Sequence, residues 1–281
     1  MTELVADRDL RRDAPARGYL AWLRESRASG VILVLLLLAL WEASARFGIV
    51  QSVNWPPFSI VMTSLVTGLV DGELLPVILS TLWRMMRGYA IGCTLGISLG
   101  LAIALSRPVR MALLPLIELL RPIPIPAIIP PLIFLLGLGD ALRLFAIAFA
   151  TFFPVVLNTI AGVRSVEPTY HQVARTFGVP RWVALRRVVF PAALPFILAG
   201  LRTSLGLAFI VTVIAEMIVG QEGVGSYLIE MQFALRAADM YAGIILVTCA
   251  AYLLNRLFIA WEARAIRWAR LAETAGGGDA S

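Results

Sequence analysis

Six apolar segments, each long enough to cross a lipid bilayer as a helix, limit the folds open to this chain. A membrane-spanning helix needs about 20 residues, because an α-helix rises about 1.5 Å per residue through a hydrocarbon layer of about 30 Å. Hydrophobic residues make up 59% of the 281 residues, more than one soluble core of this size could bury. The segments therefore predict an all-α, polytopic membrane protein of about six transmembrane helices. They lie at 30–48, 77–105, 111–137, 141–163, 194–219 and 241–262.

The basic residues predict how these spans are oriented. All 24 are arginine, and with the N-terminus inside the cell sixteen fall on the cytoplasmic side and three in external loops. Such an imbalance is the positive-inside signal of membrane proteins, so both termini are expected in the cytoplasm. The expected parts are a cytoplasmic N-terminal tail at 1–29, a transmembrane domain at 30–265 with its core at about 77–262, a cytoplasmic loop at about 164–193, and a disordered cytoplasmic tail at 266–281.

The absence of lysine narrows the possible chemistry. Without lysine the chain cannot carry a P-loop, whose lysine reaches the nucleotide phosphates, nor the lysine of a Schiff-base enzyme or a kinase. With one histidine and no H-E-x-x-H, we expect no catalytic residue and no metal site. The arginines form no basic patch, so a nucleic-acid partner is not expected. A stand-alone secondary transporter is the alternative from another class, but the two halves of the chain show no repeat.

The segment between the fourth and fifth spans predicts two short helices joined at a glycine. Pro168 can open the first helix, and Gly178 can end it in a left-handed conformation. A second helix would begin after Pro180 and end at Pro191. Helices this short are not stable alone in water, so the pair must pack on a partner protein or lie on the inner leaflet.

The spacing of this loop resembles the coupling motif of ABC-transporter permeases, E-A-A-x-x-x-G-x9-I-x-L-P. In the same frame the chain has Q-V-A at 172–174, Gly178, and V-V-F-P at 188–191. Gln172 replaces the glutamate of the motif, so a hydrogen-bonding group stands where the motif has a charge. Three further segments are similar to permeases of the sulfonate/taurine/nitrate type. They are L-L-R-P-I-P-I-P-A-I-I-P (119–130), F-F-P-V-V-L-N-T-I-A-G-V-R-S-V (152–166) and P-A-A-L-P-F-I-L-A-G-L-R (191–202).

This resemblance implies a type I ABC importer transmembrane domain in a bacterial inner membrane. Its implied partners are two cytoplasmic ATPase subunits that hold ATP and Mg, a second permease copy in a homodimer, and an external, periplasmic binding protein; no cofactor is expected on this chain. The implied solute is small and anionic, of the aliphatic sulfonate, taurine or nitrate class, with a vitamin or pyrimidine precursor as the alternative. The residues expected in the ATPase-coupling loop are Gln172, Val173, Ala174, Arg175, Gly178, Arg181, Arg187 and Pro191.

Prolines in the third span predict a broken helix beside a transport pathway, or a packing kink without substrate contact. Broken helices persist at membrane depth where protein buries them or where they line a cavity. Glu118 and Arg121 could pair on one helix face, and Glu216 is an intramembrane carboxylate of the fifth span. The candidate pathway residues are Glu118, Arg121, Pro122, Pro124, Pro126 and Glu216. Arg84 and Arg87, near one end of the second span, could reach the membrane surface.

A glycine stripe in the second span predicts a close helix contact. Gly92, Gly96 and Gly100 recur every four residues and therefore lie on one helix face. Small residues let another helix approach closely. We expect this face to pack within the bundle or to dimerise, and not to contact substrate.

Overall fold

The computed structural model describes residues 27–167, 169 and 176–266, and every regular element among them is helical. The predicted all-α fold is confirmed. The helices are α1 (Arg27–Arg46), α2 (Phe58–Val70), α3 (Leu74–Leu105), α4 (Arg107–Leu120), α5 (Ile125–Leu136), α6 (Asp140–Arg164), α7 (Arg181–Ala184), α8 (Phe190–Val219), α9 (Val224–Phe233) and α10 (Ala237–Ala265). A π turn, Leu185–Val189, joins α7 to α8.

Four helices of the described residues are long and apolar enough to cross a membrane. They are α3, α6, the continuous helix Trp182–Val219 and α10. The pair α4 and α5 meets the same criterion together but is bent by 102°. The predicted first span corresponds to α1, which is 20 residues long but is not among the helices that meet this criterion, so four or five of the six predicted spans meet it. Large apolar side chains along α1, such as Leu35, are exposed, as expected for a helix that faces lipid.

The glycine stripe of α3 packs against α6, which confirms the predicted close contact. An added Cβ at Gly96 would stand 2.9 Å from the Val155 Cβ, and one at Gly100 would stand 2.7 Å from the Thr159 Cβ. At Gly92 an added Cβ would stand 2.5 Å from the carbonyl oxygen of Ala148. Any side chain at these positions would therefore push the two helices apart, and the stripe serves packing within the chain.

Helices α6 and α8 run antiparallel along the length of α6. Near the end of α6, an added Cβ at Gly162 would stand 2.9 Å from the carbonyl oxygen of Ala193 and 2.7 Å from the Phe196 Cβ. At the opposite end, Arg143 donates a hydrogen bond to the carbonyl of Gly220. The residues of α8 from Ala193 onward thus lie beside α6, while the helix that precedes Ala193 extends past its end.

The third predicted span, 111–137, is two helices rather than one. It begins earlier, at Arg107, and breaks at 121–124 between α4 and α5. Pro122 and Pro124 each lack the backbone N–H that would bond the preceding turn, and two such losses so close together end the helix. Pro115 and Pro130 lie inside helices without breaking them. The predicted broken helix is therefore confirmed.

The loop between α6 and α8 confirms one prediction and corrects another. Gly178 has φ +60°, the left-handed conformation expected at the end of a helix. Pro191, however, does not end the second helix, because Trp182–Val219 is continuous. The Phe190 N–H donates to the carbonyl of Leu185, a π-type bond. This wider turn makes room for the Pro191 ring, which would clash with the preceding turn of a regular α-helix.

The segment before α2 packs on the end of α1. Trp41 Nε1 donates to the carbonyl of Pro56 at 3.1 Å, and Trp55 Nε1 donates to Ser44 Oγ at 3.0 Å. The two indole rings lie 5.5 Å apart between centroids, and Tyr241 of α10 contacts both. Each indole thus keeps a hydrogen-bond partner while its apolar rings pack, as expected for aromatic anchors near a membrane surface.

Candidate functional site

The bend between α4 and α5 opens a cavity of about 690 Å³, with α6 and α8 as its other walls. Its polar side chains are Arg121, Asn158 and Thr203, and Arg121 is the one charged residue among the described residues that line it. The remaining lining residues are Ile123, Pro124, Ile125, Phe149, Ala150, Phe153, Pro154, Leu157, Ala161, Leu207 and Val211. The cavity is therefore mostly apolar with a single cation at its edge.

Arg121 supplies most of the hydrogen-bond donors that this cavity offers to an anion. Asn158 Nδ2 uses one of its two N–H groups for the Pro154 carbonyl at 2.8 Å, and Thr203 Oγ1 donates to the Ala199 carbonyl at 3.0 Å. The guanidinium group carries five N–H donors in a planar fork that suits an oxyanion. Helix α5 begins beside it, so the positive end of its dipole adds to the same field.

The cavity brings together only part of the predicted pathway residues. Arg121 and Pro124 line it, whereas Glu118, Pro122 and Pro126 are not among its lining residues. The expected pairing of Glu118 with Arg121 is absent from the ion pairs that the described residues form. Arg121 is therefore not neutralised by Glu118 in this structure.

Glu216 is not among the lining residues of this cavity and lies in a site of its own, so its place on the transport pathway stays a prediction. Its side chain is 0% exposed. One carboxylate oxygen accepts from Arg84 Nη1 at 2.7 Å, and the other accepts from Thr81 Oγ1 at 2.9 Å and from the Gly225 N–H at 3.1 Å. Gly223 leaves room for this carboxylate, because an added Cβ there would collide with it. In this structure Glu216 joins α3, α8 and α9.

The arginines around Glu216 are buried, contrary to expectation. Arg84 does not reach the membrane surface but bridges Glu216 and Asp140, with its Nε 2.8 Å from Asp140 Oδ1. Arg143 is one of the three arginines that the sequence assigns to external loops, but it is 1% exposed and donates hydrogen bonds to Gly220 and Gln221 from within α6. Buried charges persist when they are paired and hydrogen-bonded. Glu216 and Arg84 meet that condition, Asp140 is half exposed, and Arg143 Nε is buried without a hydrogen-bond partner.

Sequence reasoning missed Thr81, Asp140 and the glycines of this cluster. Two signals were available. Arg84 and Arg87 repeat at the spacing of one helix turn, as do Asp140 and Arg143 at the start of α6. The pattern G-x-x-G-x-G at 220–225 begins four residues after Glu216, and glycines in such a run allow the backbone to approach a side chain closely.

The predicted coupling loop is described only in part. Gln172, Val173, Ala174 and Arg175 lie outside the described residues. Gly178 is exposed in its left-handed conformation, Arg181 begins α7, Arg187 is exposed on the π turn, and Pro191 lies in the first turn of α8. Two large apolar side chains in the same region, Phe177 and Trp182, are also exposed. No group of three or more His, Cys, Asp or Glu side chains that could hold a metal ion occurs among the described residues.

The family model for the inner membrane component of binding-protein-dependent transport systems matches residues 92–270. Among individual relatives, SsuC of Bacillus subtilis (strain 168), a permease protein whose name refers to the transport of aliphatic sulfonates, is 29% identical over 92% of this chain and 91% of its own. TauC of Escherichia coli (strain K12), a taurine transport system permease protein, is 33% identical over 83% of this chain and 86% of its own. RibX of Chloroflexus aurantiacus, a riboflavin transport system permease protein, is 33% identical over 83% of this chain and 89% of its own.

Solved structures share the fold. A chain of a bacterial ABC transporter involved in the import of the acidic polysaccharide alginate superposes with a TM-score of 0.59 at 18% identity, covering 92% of this chain and 98% of its own. A chain of an amino acid ABC transporter superposes with a TM-score of 0.58 at 18% identity, covering 72% of this chain and 97% of its own. At this identity the likeness concerns the fold alone.

Proposed function

The chain belongs to the family of binding-protein-dependent transport system inner membrane components, the permease subunits of ABC importers, and we propose that two copies of it form the pathway for a small anionic solute. The observation that carries this proposal is the cavity of about 690 Å³ at the break between α4 and α5, with Arg121 as its charged lining residue. Transporters place substrate sites at discontinuous helices, because only a cavity or surrounding protein tolerates irregular backbone at membrane depth.

The proposed solute belongs to the aliphatic sulfonate, taurine or nitrate class. An arginine at the edge of an apolar cavity suits a single oxyanion group, with or without an apolar body. The relatives named for aliphatic sulfonates and taurine support this class. The similarity to the riboflavin permease protein supports a second candidate function, in which the same kind of importer carries a vitamin or pyrimidine precursor. The two candidates differ in their dependence on Arg121, since an uncharged solute gains little from a cation.

We further propose that the energy comes from two cytoplasmic ATPase subunits that hold ATP and Mg, so that this chain carries no cofactor. The lack of any lysine supports this division, since the chain has no P-loop. The ATPase subunits would contact the loop at 164–193 through Gln172, Val173, Ala174, Arg175, Gly178, Arg181, Arg187 and Pro191. A periplasmic binding protein would deliver the solute to the opposite side.

The proposed topology places both termini in the cytoplasm of a bacterial cell, with the protein in the inner membrane. The transmembrane domain is 30–265, with its core at about 77–262, and the tails are 1–29 and 266–281. In this arrangement the loop before α8 faces the cytoplasm, while the Arg84–Glu216 cluster lies at the periplasmic ends of α3 and α8. The arginine imbalance of sixteen to three between the two sides supports this orientation.

Uptake by reconstituted vesicles tests the proposal. Vesicles would contain this chain with the P-loop ATPase and the binding protein encoded beside it, and uptake of taurine, ethanesulfonate, nitrate and riboflavin would be measured with and without ATP. We expect ATP-dependent uptake of an anion that Arg121→Gln lowers about tenfold or more, as for loss of a charged hydrogen bond. Arg256→Gln, another arginine within a span, is the control. Uptake that persists without the ATPase would support a secondary transporter. Uptake that Arg121→Gln leaves unchanged would show that Arg121 does not contact the solute.

A further inference from the structure

The wall that α6 contributes to the cavity contains a proline, and this proline leaves a backbone carbonyl without its usual donor. Pro154 lies inside α6 and lines the cavity, as does Ala150 one turn before it. In a regular helix the N–H of residue 154 would donate to the carbonyl of residue 150, but proline has no N–H. The Ala150 carbonyl therefore lacks its helical hydrogen bond. The proline ring also pushes this carbonyl outward, because the two would otherwise clash.

The freed carbonyl lies on the cavity side of α6. A helical carbonyl points toward the residue four positions later, and residues four apart share one face of the helix. Because Ala150 and Pro154 both line the cavity, the gap between them opens onto it. Ala150 is also buried, and a buried acceptor costs free energy unless a donor reaches it from outside its own helix. The cavity therefore offers a strong acceptor to whatever enters it.

Asn158 adds a second acceptor one turn further along the same wall. Its Nδ2 donates to the Pro154 carbonyl at 2.8 Å. Gly200 of α8 keeps the side chain in this place, because an added Cβ there would stand 2.8 Å from the Asn158 Cβ and 3.1 Å from the Pro154 carbonyl oxygen. Asn158 Oδ1, on the other side of the amide group, accepts no hydrogen bond within the part of the chain that the structure describes. This oxygen is therefore free to accept from a solute.

The cavity thus has two chemically opposite walls. Arg121, at the bend between α4 and α5, attracts an oxyanion. The α6 wall presents oxygen acceptors together with the edge-to-face pair Phe149 and Phe153, whose ring centroids lie 4.9 Å apart. Oxygen acceptors and aromatic faces both favour a positive or hydrogen-bond-donating group. The described lining residues include no aspartate or glutamate, so this wall suits a donor group carried by an anion rather than a free cation.

We propose that the Ala150 carbonyl and Asn158 Oδ1 form a subsite that accepts hydrogen bonds from a hydroxyl or ammonium group of the solute whose oxyanion group Arg121 binds. The inference rests on the proposed function and narrows its solute class. A small oxyanion with a donor on its apolar chain binds more tightly than the same anion without one, and nitrate, which has no donor, gains nothing from the subsite. Pro154 is a positioning residue, because it acts by leaving the Ala150 carbonyl without a partner.

Three sulfonates of equal chain length test the proposal. Ethanesulfonate, hydroxyethanesulfonate and taurine carry a methyl, a hydroxyl and an ammonium group at the end away from the sulfonate. Saturation-transfer NMR would measure their affinity for the purified complex of this chain with its ATPase. The binding protein is left out, so its own preference does not enter. We expect hydroxyethanesulfonate, taurine or both to bind about fivefold more tightly than ethanesulfonate, as for one hydrogen bond to an otherwise unpaired acceptor.

Substitutions on the α6 wall test the subsite itself. Pro154→Ala restores the N–H that donates to Ala150, and Asn158→Leu removes Oδ1 at similar size. Each is expected to lower the affinity ratio of donor-bearing sulfonate to ethanesulfonate about threefold. Pro195→Ala is the matched control, because Pro195 lies inside α8 without lining the cavity, and it should leave the ratio unchanged. Arg121→Gln should weaken the binding of all three sulfonates and keep the ratio.

The outcomes separate this inference from the proposed function. Melting temperatures first establish which variants are folded like the wild type. A ratio that either folded variant leaves unchanged overturns the subsite, as does equal binding of the three sulfonates, or no binding, by the wild-type complex. In those cases the proposed function still stands if vesicles take up an anion in an ATP-dependent manner that requires Arg121. If vesicles show no such uptake, the proposed function itself fails.

Discussion

Arg84 Nη1 lies 2.7 Å from Glu216 Oε1, and this buried ion pair joins the N-terminal half of α3 to the end of α8. The other oxygen of the same carboxylate, Oε2, accepts hydrogen bonds from Thr81 and from the backbone N–H of Gly225, so both oxygens have partners. The pair therefore holds α3, α8 and α9 in one arrangement. Because α3 and α8 both pack on α6, the cluster stabilises the central three helices as a unit.

Removing one partner of this pair is expected to destabilise the fold more than removing both charges. Arg84→Met leaves Glu216 charged and buried, which costs about 3–5 kcal/mol of unfolding free energy by analogy with other buried pairs. In Arg84→Met/Glu216→Gln the neutral amide oxygen still accepts from Thr81 and Gly225, so most of the loss should be recovered. Melting temperatures in detergent measure both variants. A double variant that melts below Arg84→Met would contradict this account.

Gly223→Ala is expected to disturb the Glu216 site through contact as well as through backbone strain. Gly223 has φ +108°, and an added Cβ would collide with the Glu216 carboxylate. Gly72 offers a matched control, because it has φ +80° with nothing within 4 Å of an added Cβ. Gly72→Ala should show strain alone, about 1–3 kcal/mol. If Gly223→Ala lowers the melting temperature no more than Gly72→Ala does, the contact between the added Cβ and Glu216 does not destabilise the protein.

Gly92→Ala is expected to separate α3 from α6. The added methyl group would stand 2.5 Å from the backbone oxygen of Ala148, which cannot rotate away as a side chain can. Overpacking of this kind costs about 1–3 kcal/mol. Gly206 of α8 is the control, since an added Cβ there meets nothing within 4 Å. Gly206→Ala should leave stability unchanged or raise it by about 0.5–1 kcal/mol through its helix preference. Thermal melts of both variants make the comparison.

Features with a local or periodic cause were predictable from the sequence. The apolar segments, the break near Pro122 and Pro124, the left-handed Gly178 and the close approach at Gly96 each follow from residue type and spacing. The cluster around Glu216 was not predictable in this way. Arg84 and Asp140 lie 132 and 76 residues from it along the chain, and charge alone does not tell a buried ion pair from an arginine that reaches the membrane surface. The pairing requires the packing of α3 on α6 and α8.

The π turn before α8 is expected to set the direction in which the coupling loop faces. Leu185, Val189, Ala193 and Ile197 follow one another at four-residue intervals and all pack in one apolar cluster. In a regular α-helix each four-residue step turns about 40° too far, so three steps would carry Leu185 about 120° off this face. The wider π turn between Leu185 and Val189 takes up part of this rotation.

Pro191→Ala is therefore expected to let the π turn become a regular turn, because alanine restores the backbone N–H and removes the ring that would clash with that turn. With the chain length unchanged, this rotates α7 and Arg187 about the axis of α8 by about 100°, the angle of one helical residue. Deleting Val188 from Pro191→Ala removes the additional residue of the π turn, so a regular turn then joins α7 to α8 in nearly the original direction, and this combined variant is the control. We expect both variants to melt at similar temperatures, because α8 is intact, but Pro191→Ala alone to lose ATP-dependent uptake in vesicles. Equal uptake by the two variants would mean that the orientation of the loop does not matter for coupling.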